Sequence, residues 1–347
     1  MEIFKGTILL IIVLVFFTLF SYRAPKGMKA MGALASAAVA AFLVEAFQLY
    51  VGGDLLGIGF LGEVGTAAGG MGGVAAAALV ALALGVSPVY ALMLGISCAG
   101  MGLLPGFIAG YLVSFIVKKI ESKVPAGLDL IVTIIVAAPL VRLIAVNVSP
   151  IVDATLLNIG GIIAETANSN PIIMGIILGG VITVVATAPL SSMALTAMLG
   201  LTGLPMAIGA LAVFGSSFMN YVLFDRMKFG NRRTTISVAI EPLTQADIIS
   251  ANPIPVYVTN FIGGAAAGIV VASAGLINNA PGTATPIAGL AVMYGFNDPL
   301  KVTITAFICA TVGALSGLLG SIIFKKFKIR TVSDLEKKNS QQAKEVA

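Results

Sequence analysis

The chain has 347 residues, 58% of them hydrophobic and 10% charged, and a mean hydropathy of +1.05. Soluble domains carry about 25% charged residues, so a water-soluble fold of this size would have no polar surface to show, and the chain reads as an integral membrane protein. The net charge is +5 and there is no histidine, which excludes histidine-ligated haem or metal and any phosphohistidine on this chain. The basic residues do not interleave with aromatics, so no nucleic acid is expected as a partner.

The apolar segments are about 15–25 residues long, the length of a helix crossing a core of roughly 30 Å. Transmembrane strands would instead alternate polar and apolar over about 10 residues. In chain order the expected spans are 7–21, 31–50, 74–97, 99–117, 128–147, 172–188, 191–203, 206–224, 254–275 and 302–324. The expected class is therefore an all-α polytopic membrane protein of about 9–10 transmembrane helices plus re-entrant hairpins. Residues 1–27 read as a retained first span or anchor, because no small-residue cleavage site precedes "YRAPKGMK". Residues 52–73, 234–252 and 278–296 are too apolar for loops and too broken by Gly, Pro, Ser, Thr and Asn for spans. Such backbone is tolerated at membrane depth only inside protein or along a watery cavity, so these three are expected to re-enter. The membrane domain would run from 1 to 324, followed by a charged tail over 325–347.

Basic residues form four groups, at Arg23/Lys26/Lys29, Lys118/Lys119/Lys123, Arg226/Lys228/Arg232/Arg233 and Lys325/Lys326/Lys328/Arg330. The positive-inside tendency puts all four in the cytoplasm, and with them the C-terminus. Counting crossings then closes the second half if 234–252 and 278–296 re-enter. The first half needs an even number between Lys29 and Lys118, so either 52–73 crosses or one segment there is a half-helix. Forty glycines, well above the usual ~7% share, point to close helix packing. Cys98 and Cys309 lie apart in apolar stretches, so no disulfide, metal or cofactor is expected.

Ionisable groups within membrane segments are functional candidates by default. They are Glu45, Asp54, Glu63, Arg142, Asp153, Glu165, Glu241 and Asp247. Asp54, Asp153 and Glu165 fall near span ends and read as solvated, and Arg142 reads as a counter-ion for one of the acids. Glu241 stands out: it precedes Pro242, which disfavours helix there, in "IEPLTQADIISANPIP" with Gln245, Asp247 and Asn252. Convergent acceptors and donors in an apolar pocket suit a polyhydroxylated solute. "TAPLSSMALT", with Ser191 and Ser192, and "NNAPGTATP", with Asn278, Asn279 and Thr283, are further candidate pocket linings, and Glu45 and Glu63 are candidates for solute or proton handling.

"GFIAGYLVSFIVKKIESKVPAGLDLIVTIIVAAPLV", "NPIIMGIILGGVITVVATAPLSSMAL", "AIEPLTQADIISANPIPVYVTNFIGGAAAG" and "NAPGTATPIAGL" together resemble the membrane (IIC) subunits of the bacterial sugar phosphotransferase system, most closely the fructose-like type. The resemblance extends from about 28 to 324 and includes a branch with regulators of the perfringolysin type. Where the family has Gly-x-Thr-Glu, Ile240 replaces the threonine and Glu241 keeps the acid. Ser191 and Ser192 stand for its Asn-Lys pair, Asn252 for the Asp of Ala-Asp-Pro, and Gly282 or Thr283 for the His of Pro-His-Gly-Gly. The resemblance implies a homodimer in the bacterial inner membrane, a scaffold domain, a transport domain with the Glu-bearing hairpin, elevator-like movement, and separate IIA and IIB phospho-donor proteins. The leading expectation is a sugar permease subunit centred on Glu241, with no stand-alone catalytic site. The alternatives are a secondary transporter of the same fold and a membrane-embedded solute sensor.

Overall fold

The computed structural model describes residues 2–188, 191–332 and 334. Pro189, Leu190 and nearly all of the charged tail from 333 onward fall outside the described residues. The described chain is helical, and its only bridge of strand type pairs Gly203 with Asn278. In order the helices are α1 (Glu2–Arg23), α2 (Gly27–Ala38), α3 (Gly59–Gly69), α4 (Gly72–Leu84), α5 (Pro88–Ser97), α6 (Leu103–Lys123), α7 (Leu128–Val132), α8 (Ala138–Val152), α9 (Asn158–Ser169), α10 (Pro171–Thr187), α11 (Ser192–Met198), α12 (Gly203–Met227), α13 (Arg232–Ile240), α14 (Ala246–Ala251), α15 (Pro253–Ala274), α16 (Pro286–Met293) and α17 (Pro299–Ile323). Wider π-helical turns link α2 toward α3 and join α7, α8 and α9 into one stretch.

Among the described residues, seven segments are long and apolar enough to cross a membrane: Lys5–Arg23, Gly27–Leu55, Leu103–Lys123, Leu128–Ser169, Gly203–Met227, Pro253–Ala274 and Pro299–Ile323. An eighth forms if α3 and α4, which meet at a 56° bend, count as one broken span. The chain is an all-α polytopic membrane protein.

Several segments differ from their hydropathy profile. Residues 74–97, continuous in hydropathy, are split between α4 and α5. Gly85 takes a left-handed conformation (φ 91°) and Pro88 opens α5, the pairing of C-terminal Gly and N-terminal Pro that ends one helix and starts another. Residues 191–203 yield only the seven-residue α11, far short of the ~20 residues a span needs.

The chain forms two compact units. Unit 1 comprises Met1–Glu165, Met193–Leu201 and Ala280–Thr283, and unit 2 comprises Thr166–Ser192, Thr202–Asn279 and Ala284–Ala347.

Unit 1 is built on α4, with Ala76, Val80 and Leu84 facing Ala30, Leu34 and Ala37 of α2, and Ala77 and Ala81 facing Ala109 and Val113 of α6. The alanine-rich face of α4 lets α6 approach until a Cβ on Gly106 would collide with the backbone of Gly73. At the C-terminus of α4, Lys26 Nζ donates to Leu84 O and Lys118 Nζ to Gly85 O, each at 2.8 Å. These cations satisfy orphan carbonyls and complement the helix dipole, and they gather the first two basic groups at one end of unit 1. Arg142 is likewise a cap: its Nη1 donates to Ala99 O at 2.6 Å and more weakly to Ser97 O at 3.4 Å, past the end of α5. The counter-ion reading of Arg142 is corrected accordingly. Free carbonyls at a helix end hold a guanidinium without a carboxylate.

Unit 2 packs α10, α12, α15 and α17 together through glycines. Gly175 and Gly179 of α10 face Gly264 and Gly268 of α15 at backbone contact, and Gly313 and Gly317 of α17 do the same to Gly215 and Met219 of α12. Within this bundle Asn260 Nδ2 donates to Asn220 Oδ1 at 2.8 Å, Asn220 Nδ2 returns to Asn260 Oδ1 at 3.3 Å, and Thr183 Oγ1 donates to Asn260 O at 2.8 Å. All three residues are fully buried, so a polar clamp joins α10, α12 and α15. Interhelical bonds in membranes average about 0.6 kcal/mol and reach about 1.7. A double-mutant cycle of Asn220→Ala and Asn260→Ala, read by unfolding in mild detergent, is expected to give a coupling of about 0.5–1.5 kcal/mol. Strictly additive losses would mean that the clamp contributes nothing.

One end of unit 2 is closed by Phe224, Phe229, Val238, Ile248, Ile249 and Val256, with Ile329 and Val332 packed against them. Val332 N donates to Phe229 O at 3.0 Å. The third and fourth basic groups thus share an end of unit 2, as the first two share an end of unit 1.

Candidate functional site

Three broken helices of unit 2 end beside one another. The first break is at Glu241, where α13 stops because Pro242 cannot continue it, and Glu241 turns extended (φ −147°, ψ 102°). A short 3₁₀ turn, Pro242–Gln245, follows before α14. Thr244 Oγ1 donates to Glu241 O at 2.8 Å, so the turn satisfies its own backbone and leaves the Glu241 carboxylate to point elsewhere.

The second break is the start of α16. Thr285 precedes Pro286 in extended conformation (φ −142°), and its Oγ1 donates to Glu241 Oε2 at 3.3 Å. The third is the start of α11, where Ser192 Oγ donates to Ala284 O at 2.6 Å, next door to Thr285. Ser191 is buried beside it in a left-handed conformation (φ 59°), an uncommon state for a serine. Glu241, Thr285 and Ser192 therefore stand at the meeting of three helix ends. Helix termini and freed backbone groups there are an arrangement suited to binding a polar solute at membrane depth.

The other candidates fall elsewhere. Asn252 is 1% exposed, and its amide serves the fold: Nδ2 donates to Ile248 O and Arg330 O, and Oδ1 accepts from Arg330 N, all at 2.8 Å. It pins the segment after α17 to the hairpin. Asn252→Ala is expected to lower stability by about 1–3 kcal/mol, the range for leaving buried backbone groups unpaired, measured by thermal unfolding. Its effect on sugar affinity should be small beside that of Glu241→Gln; equal losses in affinity would make Asn252 a ligand.

Gln245 is half-buried and Asp247 exposed in the first turn of α14. Asn278 N donates to Gly203 O at 3.0 Å and Asn279 Oδ1 accepts from Gly203 N at 3.2 Å, tying the loop before α16 to the start of α12. Thr283 belongs to unit 1, where its hydroxyl donates to Ala280 O at 2.8 Å. Glu45 and Glu63 are also in unit 1. The Glu45 carboxyl rests on Gly69 at the end of α3, where any Cβ would collide with it, and Glu63 is exposed on α3. Among the described residues no cluster of three His, Cys, Asp or Glu side chains is fit to hold a metal.

Sequence reasoning singled out the stretch "NNAPGTATP" that holds Thr285 but did not name Thr285 itself. Its signal was present, since a threonine before a proline is a common helix entry, but the partner 44 residues away is not legible from local pattern.

A family model described as "Phosphotransferase system, EIIC" matches residues 28–337, most of the chain. The chain belongs to the phosphotransferase system EIIC family. An EIIC chain is the sugar-transporting permease component of a phosphotransferase system, embedded in the membrane by multiple spans and working with IIA and IIB proteins. No curated protein and no solved structure matches this EIIC chain.

Proposed function

We propose that this EIIC chain binds its sugar at the Glu241–Thr285 junction of unit 2 and presents a sugar hydroxyl there for phosphorylation by a separate IIB protein. The observation that carries the reading is the Glu241 carboxylate, turned out of a proline-broken helix and held by the Thr285 hydroxyl at the start of another broken helix. A carboxylate accepts charge-assisted bonds from two neighbouring hydroxyls, roughly twice as strong as neutral ones, and the threonine fixes its rotamer. Ser192 supplies a further hydroxyl one residue-step away through Ala284. With no histidine in the chain, the phosphoryl group passes to the sugar directly from the donor protein, without an intermediate on an EIIC imidazole.

The finer expectations accompany this reading: a homodimer in the bacterial inner membrane, a cytoplasmic C-terminus, and alternating access by movement of the unit that carries Glu241. The test is uptake of a labelled sugar panel into membrane vesicles, with and without a cytosolic extract containing phospho-donor proteins. Accumulation of sugar phosphate only with extract is the expected result. Accumulation of unmodified sugar without extract would instead establish a secondary transporter. Specific binding with no uptake in either condition would establish a sensor.

A further inference from the structure

In unit 1 two of the cations, Lys26 and Lys118, are taken up by the carbonyls that end α4, and Lys118 also meets Glu121 at 3.5 Å. Unit 2 leaves its cations to solvent. Arg226, Lys228, Arg232 and Arg233, at the turn from α12 to α13, are all exposed. Among the described residues, Lys228 alone of these four has an ion pair, with Asp225 at 3.6 Å. Lys325, Lys326, Lys328 and Arg330, after α17, are exposed as well, and among the described residues none of their side chains meets an acid.

Neither set is explained by the fold. Arg232 and Arg233 open α13, where the helix dipole disfavours cations. The set after α17 sits on a fixed backbone: the buried Asn252 amide holds both the N–H and the C=O of Arg330, and Val332 N donates to Phe229 O. A positive-inside bias asks only that cations lie on one side of the membrane, not that a buried amide hold their backbone. Such fixing lowers the ordering cost of docking a partner. The chain's own tail cannot neutralise this face, because Asp334, Glu336 and Glu345 are matched by Lys337, Lys338 and Lys344.

The basic face lies at the foot of the hairpin that carries Glu241. From Arg232, α13 runs nine residues before Glu241, about 13 Å at the helical rise, and α14 returns the chain to Asn252 beside Arg330. A standard interface takes about 800 Å² of each partner, a patch roughly 30 Å across. A protein that delivers a group to Glu241 from this end therefore covers Arg232 and Arg233. A phosphoryl group brings about −1.5 to −2 charges at neutral pH, which these cations complement.

Resting on the sugar-site reading above, which puts this end in the cytoplasm, we propose that the basic face of unit 2 is the docking surface for the phospho-donor IIB protein. IIB meets it through an acidic rim around its phosphoryl group. Arg232 and Arg233 stand at the hairpin's foot, and the pinned segment from Lys325 to Arg330 adds a second basic edge. Complementarity of this kind acts on encounter rate and salt dependence rather than on the chemical step.

The test uses the full chain in nanodiscs of zwitterionic phospholipid, the sugar it takes up, and the purified IIB protein that supports phosphorylation in the vesicle assay. At low salt, Arg232→Glu/Arg233→Glu is expected to raise the KM for IIB at least about tenfold. Arg232→Gln/Arg233→Gln and Lys326→Gln/Lys328→Gln should raise it several-fold, with kcat and sugar affinity within about twofold of wild type. At about 1 M salt, where the Debye length is about 3 Å, all three should converge on wild type. The unfolding temperature of Arg232→Gln/Arg233→Gln should be no lower than that of wild type, since two cations leave a helix N-terminus. An unchanged KM for IIB in all three folded variants overturns the docking surface and leaves the sugar site standing. A defect that appears only when anionic lipid is added to the nanodiscs makes the face a lipid-headgroup site and likewise overturns it. If no IIB-dependent phosphorylation of any sugar occurs, the permease reading falls and this surface with it.

Discussion

Glu241→Gln is expected to reduce sugar uptake and sugar affinity by about 10- to 100-fold, because each of the two sugar hydroxyl bonds falls from about 1.5–3 kcal/mol to about 1, a loss of roughly 1–4 kcal/mol in all. Glutamine keeps the volume and one carbonyl oxygen, so it still accepts from Thr285 Oγ1, which lies 3.3 Å from Glu241 Oε2. The backbone bonds that shape the turn, from Thr244 to Glu241 O and from Glu241 N to Ser237 O, do not involve the side chain at all. Stability should therefore change little while binding falls, which separates a ligand from a structural acid. Thr285→Val removes the hydroxyl at nearly constant volume and should cost less, roughly 3- to 10-fold, since a neutral hydrogen bond is lost. Uptake within twofold of wild type in Glu241→Gln, in protein that is demonstrably folded, would remove Glu241 from the site.

The largest effect on folding is expected at the crossing of α10 and α15. A Cβ on Gly268 would collide with the carbonyl of Gly175, and one on Gly179 with the carbonyl of Gly264. These are backbone atoms on both sides, so no rotamer change can make room. Overpacking a well-filled site costs about 1–3 kcal/mol for small additions, and Gly268→Ala should fall in that range. Gly268→Leu would force the two helices apart, and with them the Asn220–Asn260–Thr183 clamp that depends on their separation. It is expected to leave little monodisperse protein on size-exclusion chromatography. Gly161→Ala is the contrast: nothing lies within 4 Å of its added Cβ, and removing a helical glycine should stabilise by up to about 1 kcal/mol. A normal unfolding temperature for Gly268→Leu would mean that α10 and α15 do not meet through these glycines.

Much of this protein is legible in its sequence because the physics involved is local. Whether a segment is long and apolar enough to span a bilayer is a property of consecutive residues, so composition and segment length by themselves point to an all-helical membrane protein. The breaks at Glu241–Pro242 and Thr285–Pro286 follow from proline's missing amide and its restriction of the preceding residue, both also local. The excess of glycine points to close helix packing, and the structure realises it as pairs at spacing four on α10, α15 and α17. Tertiary structure decided which helix each pair meets. It also decided that Asn252 serves Arg330 and that Arg142 caps α5. It reduced 191–203 to the seven residues of α11, and it paired Thr285 with Glu241. Those outcomes depend on which polar group lies within about 3 Å of which. That is fixed by packing between segments tens of residues apart, which hydropathy and spacing along one segment do not encode.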